Sequence, residues 1–352
     1  MLNTTQLSEK NLKAEIFSVP IVADELERMW NQKRGQVAEV VREINDRKPR
    51  GLVFYGSGGS SSALYSGYWA GLRYLKLPVH YLLSPDITSA RPAALDPACV
   101  AIGASYFGKT VDTIRVKNWL LERNVLLFSI TRRDDVDLAK GATWSITYES
   151  IALYTSPAYL TMILVVELAR LRGEWSPELE AFEMALQGLP GLLRRIYEPS
   201  REMAERKAPE LDEGKLVVLS GGAAYALGYM MAYDMFGEYL KMHCAYIHCG
   251  EFRHGPLEII RRGEPNMLFL VGNDGSRLFS EAGMKFCSAN GAGVVAFDAR
   301  DLVPDAHPLL DALILYNSQL WLLYYMACRR SVDLDDYKYM HVVPYAEGDT
   351  FF

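Results

Sequence analysis

The sequence predicts an α/β protein in which one unit occurs twice, each unit being a doubly wound, mostly parallel sheet flanked by helices. Two observations carry this prediction. Each half opens with a short apolar run, a glycine-rich turn and a helical pattern, and in each half further strand-like runs alternate with helical ones. With 352 residues, half of them hydrophobic, the chain is long enough to fill two cores. We therefore expect two domains, residues 1–195 with an N-terminal helix and residues 196–352 with a C-terminal tail.

The first half begins its predicted sheet at residues 51–55, an apolar and β-prone run that is followed by the turn GSGGSSS. The apolar residues of the next segment, ALYSGYWAGLRYLK, recur at helical spacing. Charged or helical segments then alternate with further strands, as in parallel sheets. These strands are predicted at residues 78–83, 100–105, 125–130 and 143–148.

The second half repeats this opening. Residues 215–219 form the apolar run, Ser-Gly-Gly the turn, and AAYALGYMMAYDMFGEYLK the helix. Between the halves, residues 173–214 are charged and rich in helix-forming residues, which indicates a helical connector. Further strands are predicted at residues 267–271, 294–297 and 313–316.

Composition argues against several classes of partner. The net charge is −6 without a long basic run, which disfavours nucleic acid and anionic membranes as partners. The longest apolar run, residues 159–168, is too short to span a bilayer and contains Glu167. The polar N-terminus lacks the apolar core of a signal peptide, and five scattered cysteines suit a reducing compartment. We therefore expect a cytoplasmic protein without a disulfide framework.

A metal site has to be considered where Cys244 and Cys249 each follow a histidine, His243 and His248. The spacing of these four residues does not match the usual zinc patterns, and free cysteine often packs as a small hydrophobe. We expect no metal here.

The segment from Glu238 to Ile260 concentrates groups that can carry protons. It contains three of the six histidines, and Gly255-Pro256 at its end predicts an irregular loop that holds His254. A glutamate on the preceding helix, Glu238, completes a possible acid/base pair. The alternative is a polar surface loop with incidental histidines.

Two polar turns are predicted at the carboxyl edge of the first sheet. In GSGGSSS the backbone N–H groups and serine hydroxyls can receive a phosphate or sugar hydroxyls. A second turn, residues 105–113, follows the third strand and adds Ser105 and Thr110. The alternative is that these hydroxyls only cap helices.

Two nucleotide-binding patterns compete at these turns. Gly56-x-Gly58 follows a strand, with Asp86 near the end of the next, but Ser61 replaces the third glycine of the dinucleotide pattern. The segment from Gly103 to Thr110 formally fits the P-loop pattern GxxxxGK[ST] between a strand and a helix. Either way the turn favours phosphate.

Three segments, in this order, give the chain a resemblance to a known family: GSGGSSSALY, ASYFGKTVDT and EYLKMHCAYIHCGEFRHGPLEI. They resemble the sugar isomerase (SIS) superfamily over about residues 35–345, and the isomerase domain of glucosamine-6-phosphate synthase within it. The chain is more similar to fructoselysine-6-phosphate and phosphofructose-aspartate deglycases, which share GEF-x-HGP-x-EI and a glutamate sixteen residues before its histidine. The resemblance implies two tandem SIS subdomains and makes the P-loop match a coincidence within a sugar-phosphate loop.

The resemblance also implies roles for single residues. Glu238 falls where the family has the base that moves a proton between C1 and C2 of the open-chain sugar. His254 falls where the family has a ring-opening histidine that serves the neighbouring subunit's site, so a homodimer or higher homo-oligomer with composite sites is implied. The positions that match contacts to the sugar and its phosphate are Gly59, Ser60, Ser105, Phe107 and Thr110, with His341 near the C-terminus.

Departures from the family favour the deglycase branch. Phe107 replaces a usual serine, so that only its backbone N–H can serve the phosphate. Two lysines of the synthase are missing, with Met235 and apparently His341 in their places, and no glutaminase domain precedes residue 35.

The implied reaction is cleavage of a 6-phosphorylated Amadori product to an aldose 6-phosphate and an amine, without metal or redox cofactor. A sugar-phosphate isomerase or aminosugar-phosphate deaminase is the alternative. A non-catalytic sensor is disfavoured because it needs neither Glu238 nor His254 and because the first 35 residues are too short for a helix-turn-helix.

Overall fold

Two parallel sheets organise the computed structural model, which describes residues 4–211, 215–260 and 265–340. The first sheet has five strands and the second has four, and every pairing is parallel. Helices flank both sheets. The predicted fold class is confirmed.

The first sheet has the strand order β2-β1-β3-β4-β5. Its strands are β1 (Gly51–Gly56), β2 (Val79–Leu83), β3 (Cys99–Ser105), β4 (Leu126–Thr131) and β5 (Trp144–Thr147). The helices up to the connector are α1 (Thr4–Asn11), α2 (Val19–Arg28), a π-helical turn (Met29–Lys33), α3 (Arg34–Asp46), α4 (Gly58–Tyr74), α5 (Ser84–Ala90), α6 (Val111–Glu122) and α7 (Thr155–Leu171). The predicted helical connector contains α8 (Pro177–Arg195), α9 (Tyr197–Lys207) and a 3₁₀ turn (Ala208–Leu211).

The second sheet repeats the order of the first with one strand fewer, β7-β6-β8-β9. Its strands are β6 (Lys215–Ser220), β7 (Cys244–His248), β8 (Pro265–Val271) and β9 (Gly293–Asp298). Between β6 and β7 run a 3₁₀ turn (Gly222–Ala224), α10 (Tyr225–Met230) and a π-helical stretch (Met231–Tyr239). The remaining elements are 3₁₀ turns (Pro256–Ile259 and Pro308–Leu310), α11 (Arg277–Ala289), α12 (Ala299–Leu302) and α13 (Asp311–Arg329).

The central strands are buried on both faces, as parallel sheets require. Every residue of β1 and β3 is buried. On one face of the first sheet Tyr55, Ala101 and Leu127 pack in one cluster with residues of α6. On one face of the second, Leu219 and Phe269 pack with residues of α11. These buried cores hold the carboxyl ends of the strands, and the turns that follow them, in place.

Two local predictions need correction. Residues 313–316, predicted as a strand, lie inside α13, where all four side chains are fully buried. A short apolar run has the same composition in a buried helix as in a buried strand. Strand β7 was not predicted, because it is a half-exposed edge strand in which histidine and cysteine interrupt the apolar pattern.

The chain packs as two compact units: Pro20–Arg195 with Asp305–Leu313, and the described parts of Met1–Val19, Ile196–Pro304 and Ile314–Phe352. Compactness alone does not show that a unit folds by itself, and the division into domains at residue 195 stays a prediction. Within the described ranges, none of the helices combines the length and apolar character needed to cross a bilayer.

Candidate active site

The turns after β1 and β3 lie against each other, because these strands are neighbours in the sheet while their helices diverge. This is the place where a doubly wound sheet binds its ligand. The Ser60 hydroxyl, in the first turn of α4, accepts a hydrogen bond from the backbone N–H of Tyr106 at 3.2 Å. The structure therefore brings together the two turns that the sequence predicts at one edge.

The first turn is shaped for an anion. Gly58 has a φ of +54°, a conformation that side chains rarely adopt, and it lets the chain enter α4 directly from the strand. Gly59 and Ser60 follow in the first turn of this 17-residue helix, where free N–H groups and the positive end of the helix dipole lie. The Ser57 hydroxyl is buried and, among the described residues, has no hydrogen-bond partner. A buried hydroxyl without a partner is costly unless a ligand satisfies it.

The second turn is held by its own hydroxyl groups. The buried Ser105 hydroxyl lies 3.0 Å from that of Thr110 and accepts a hydrogen bond from the Gly108 N–H at 3.0 Å. Gly108 has a φ of +64°, and a Cβ there would lie 2.2 Å from the side chain of Val136. These hydrogen bonds and the close packing at Gly108 fix the backbone of the turn, and Thr110 is exposed at its end.

Phe107 exposes its side chain, with 49% of its surface accessible. Its ring packs edge-on against Tyr106 at a centroid distance of 4.8 Å. Because the ring offers no hydrogen bond, only the backbone of residue 107 can serve a phosphate, as the sequence analysis expects.

A cation that the sequence analysis missed, Arg132, lies at the same edge. It directly follows β4, the strand next to β3, and its Nη1 donates to the Tyr106 hydroxyl at 2.6 Å. Its guanidinium carbon also lies 5.1 Å from the centre of the Tyr106 ring. An arginine at the carboxyl end of a strand was a signal in the sequence, but Arg132-Arg133-Asp134-Asp135 reads as an ordinary charged loop.

The equivalent edge of the second sheet carries a built-in anion. Gly222, with a φ of +56°, stands where Gly58 stands in the first sheet. Here the Asp274 carboxylate accepts hydrogen bonds from the Ala223 N–H at 2.7 Å and from the Ser276 N–H at 2.8 Å. A Cβ on Gly222 would lie 1.9 Å from this carboxylate, which therefore fills the turn. At the equivalent Gly58 of the first sheet, an added Cβ would meet no atom within 4 Å, so no acid of the described residues fills that turn.

Glu238 lies in the π-helical stretch that follows α10, with Met235 and Phe236 of the same stretch fully buried. π-Helical segments are rare and often mark functional sites. The pKa of the Glu238 carboxyl is raised to about 7, first by burial and then by the Asp234 carboxylate, against an opposing effect of Lys241. Glu238 is thus able to accept and to release a proton near neutral pH.

His254 is exposed in the turn between β7 and the 3₁₀ turn of Pro256–Ile259. Its Nε2 lies 3.2 Å from Nε of Arg253, which donates to it. Gly255, with a φ of +119°, then turns the chain away. Within the described part of the chain, no hydrogen bond or ion pair joins His254 to Glu238, and the acid/base roles of the two residues stay predictions.

Three further sequence predictions concern His341, the nucleotide-binding patterns and a possible metal site. His341 lies outside the described residues. The nucleotide patterns have structural explanations, since Gly103 lies within β3, where a Cβ would lie 2.6 Å from the Tyr55 ring, and Asp86 lies inside α5. In the ranges that the structure describes, no three His, Cys, Asp or Glu side chains cluster in a way that could hold a metal ion. Burial raises the pKa of Cys244 to about 12, so this thiol stays neutral.

No family model matches the chain. The fructoselysine 6-phosphate deglycase of Escherichia coli K12 is 25% identical over 319 residues, which cover 90% of this chain and 93% of that protein.

Two solved structures share the fold. A Salmonella typhimurium protein described as a phosphosugar isomerase matches with a TM-score of 0.81 at 21% identity, covering 90% of this chain and 98% of the other. The C-terminal domain of glucosamine-fructose-6-phosphate aminotransferase from Francisella tularensis matches with a TM-score of 0.74 at 16% identity, covering 93% and 98%. The predicted resemblance to sugar isomerases and deglycases is confirmed.

Proposed function

We propose, on the premise that the chain is an enzyme of the sugar isomerase and deglycase type, that it cleaves a 6-phosphorylated Amadori product. The products are an aldose 6-phosphate and a free amine. The observation that carries the proposal is the partly buried Glu238, whose pKa of about 7 suits a group that moves a proton between two carbons.

The phosphate is assigned to the first sheet. The N–H groups at the start of α4, the buried Ser57 hydroxyl and the exposed Thr110 offer donors there. Arg132 adds a positive charge at the same edge. In the second sheet the equivalent turn is filled by Asp274, which would repel a phosphate. This difference between the two sheets supports one phosphate per chain.

The proton transfer is assigned to Glu238. In the open-chain ketose its carboxylate takes a proton from C1, the C–H electron pair forms a C1–C2 double bond, and the ketone oxygen takes up a proton. Glu238 then returns its proton to C2 while the nitrogen lone pair forms a C1–N double bond. Water adds to this imine and the amine leaves. A positioned acid/base group of this kind contributes about 10²–10⁴-fold to the rate.

An aldose–ketose isomerase is the second candidate, because it uses the same proton shift without the amine and the Salmonella neighbour is described as a phosphosugar isomerase. The synthase reaction is disfavoured. The position of its lysine holds Met235, whose side chain is fully buried here and packs away from solvent.

His254 is proposed to open the sugar ring in the active site of a neighbouring subunit. Its exposure on a surface turn, without a bond to Glu238 of its own chain in the described part, supports this arrangement. The active unit would then be at least a homodimer.

The test is a panel of phosphorylated Amadori compounds and of plain ketose 6-phosphates, with coupled detection of the aldose 6-phosphate and separate detection of the amine. We expect amine release, lost in Glu238→Gln, while that variant binds a sugar 6-phosphate within about tenfold of the wild type. Turnover of ketose phosphates alone would favour the isomerase. Near-wild-type kcat in Glu238→Gln would contradict the assignment of the base.

A further inference from the structure

A second carboxyl group accompanies Glu238. Asp234 lies four residues earlier in the same π-helical stretch, and residues four apart lie next to each other on a helix surface. Both side chains are partly buried. Met235 and Phe236, which lie between them in the sequence, are fully buried and hold the stretch against the core.

Among the described residues, neither carboxyl takes part in an ion pair or a hydrogen bond with a side chain, and the nearby cation Lys241 lowers the pKa of Glu238 without bonding to it. Lys241 follows the stretch on an exposed position and directs its Nζ to two backbone carbonyls, those of Tyr239 at 2.9 Å and Asp333 at 3.2 Å. Two acids that sit one turn apart without a partner cannot both be ionised as easily as one alone.

Both carboxyls have a raised pKa. Burial raises the pKa of Asp234 to about 7. For Glu238 the main cause is again burial, and the Asp234 carboxylate is the second. Both carboxyls therefore keep a proton to higher pH than a solvated carboxyl does, and for Glu238 the neighbouring Asp234 is one of the causes.

We propose that Asp234 is a positioning residue for the proton on Glu238: its carboxylate makes Glu238 a stronger base for the C1 proton and a carrier that keeps this proton until C2 accepts it. The inference rests on the proposed function. It adds a residue to the site that acts through Glu238 and touches no substrate atom.

Among the described residues, Asp234 is the carboxyl that raises the pKa of Glu238, and two phenols lie at the same stretch. Tyr337 packs against Tyr239, with ring centroids 5.9 Å apart, and both phenols have a raised pKa because of burial, so that they stay neutral near pH 7. Within the part of the chain that the structure describes, Lys241 is the cation that lowers the pKa of Glu238. The elements packed against the stretch contribute Tyr225 and Tyr229 of α10, Lys215 of β6, and Cys244, Tyr246 and His248 of β7.

The decisive experiment needs no substrate. The carboxyl carbons of the ¹³C-glutamate-labelled protein are titrated by NMR, with the Glu238 signal identified by its loss in Glu238→Gln. In Asp234→Asn we expect its midpoint to fall by roughly half a pH unit or more, because a like charge one turn away is removed. Lys241→Gln should shift it the opposite way. Glu202→Gln, which removes an exposed carboxylate on α9, is the matched control and should leave it in place.

Activity then gives the second readout. The acidic limb of kcat/KM against pH should move to lower pH in Asp234→Asn and to higher pH in Lys241→Gln, with the melting temperatures showing that both fold. An unchanged Glu238 midpoint in Asp234→Asn would overturn the inference, whether or not the substrate is known. A shifted midpoint in a protein that turns over none of the panel would overturn the proposed function and leave the carboxyl pair standing.

Discussion

The hydroxyl of Ser60 accepts a hydrogen bond from the backbone N–H of Tyr106 at 3.2 Å, and this bond joins the turns that follow two neighbouring strands. Ser60 belongs to the first turn of α4, while Tyr106 immediately follows β3. This hydrogen bond therefore helps to fix the distance between the turn after β1 and the turn after β3, and with it the distance between the hydrogen-bond donors of the two turns.

Replacing Ser60 with alanine should raise KM for phosphorylated substrates about tenfold. The variant leaves the Tyr106 N–H without its acceptor and loosens the two turns, and a bond of this kind contributes about 0.5–1.5 kcal/mol. Steady-state kinetics measure the effect. The control is Ser89→Ala, whose hydroxyl bonds only within an exposed helix end. Equal KM values in the two variants would argue against the coupling of the turns.

Thr110→Ala, alone and combined with Ser105→Ala, should raise KM for phosphorylated substrates and leave that for unphosphorylated analogues unchanged. Each lost hydrogen bond to a charged group is worth about 1.5–3 kcal/mol. The double variant should also melt earlier, because the buried Ser105 hydroxyl holds the Gly108 N–H. Comparable efficiency on both kinds of substrate in the wild type would exclude this turn as the phosphate site.

Arg132→Gln should weaken binding of a sugar 6-phosphate by about tenfold, since it removes the positive charge at the carboxyl end of β4. Arg133→Gln is the matched control, because the adjacent guanidinium is exposed and pairs with Asp135 at 2.7 Å. Isothermal titration with the product analogue measures both. If the two variants bind equally, Arg132 serves only to fix Tyr106.

The stability of the protein should depend on pH through Glu238. Its pKa of about 7 in the folded protein lies above the ordinary value of 4.5, so the folded state holds the proton more tightly. This contribution is complete below pH 4.5 and is lost as the pH rises through 7, by up to about 3 kcal/mol before solvent screening. In chemical unfolding between pH 5 and 8, Glu238→Gln should lose less stability than the wild type. If the free energy of unfolding changed with pH in the same way in both proteins, the Glu238 carboxyl would be solvated in the folded state.

Mixed dimers provide a test of composite sites. Inactive Glu238→Gln and inactive His254→Ala chains, co-expressed, should regain about a quarter of wild-type activity, because half of the dimers are mixed and each of these has one complete site of two. Separate tags allow the mixed species to be isolated. Absence of recovery in purified mixed dimers would place both residues of a site in one chain.

Much of the fold was predictable because parallel sheets leave a strong pattern. The run at residues 51–55 is apolar throughout and the run at residues 100–105 is apolar up to Ser105, and the structure places buried strands there. β7 was missed because histidine and cysteine interrupt its apolar pattern, whereas the edge strands β2, β5 and β9 were predicted. The π-helical form of residues 231–239 was also beyond prediction, since its apolar residues fit an ordinary amphipathic helix.

The candidate site, like the fold, could be predicted from the sequence only in part. Hydroxyl-rich turns can be recognised because they follow strands, and the turns that contain Ser60 and Ser105 do meet at one edge, where the Ser60 hydroxyl accepts a hydrogen bond from the Tyr106 N–H. The sequence shows Arg132 at the end of a strand but not its contact with Tyr106, and it does not show the burial of Asp234, because both depend on what packs near them in three dimensions. The roles of Glu238 and His254 follow from the resemblance, and they stay predictions until the variants are measured.

The carboxylate of Asp274 makes the two copies of the repeated unit differ at their equivalent glycine turns. In the second sheet, the Asp274 carboxylate of the same chain fills the glycine turn. In the first sheet, the Ser57 hydroxyl is buried and, among the described residues, has no hydrogen-bond partner. On the proposed function, the phosphate of the substrate would take the place in the first turn that Asp274 takes in the second, so that binding would satisfy donors which folding leaves unsatisfied.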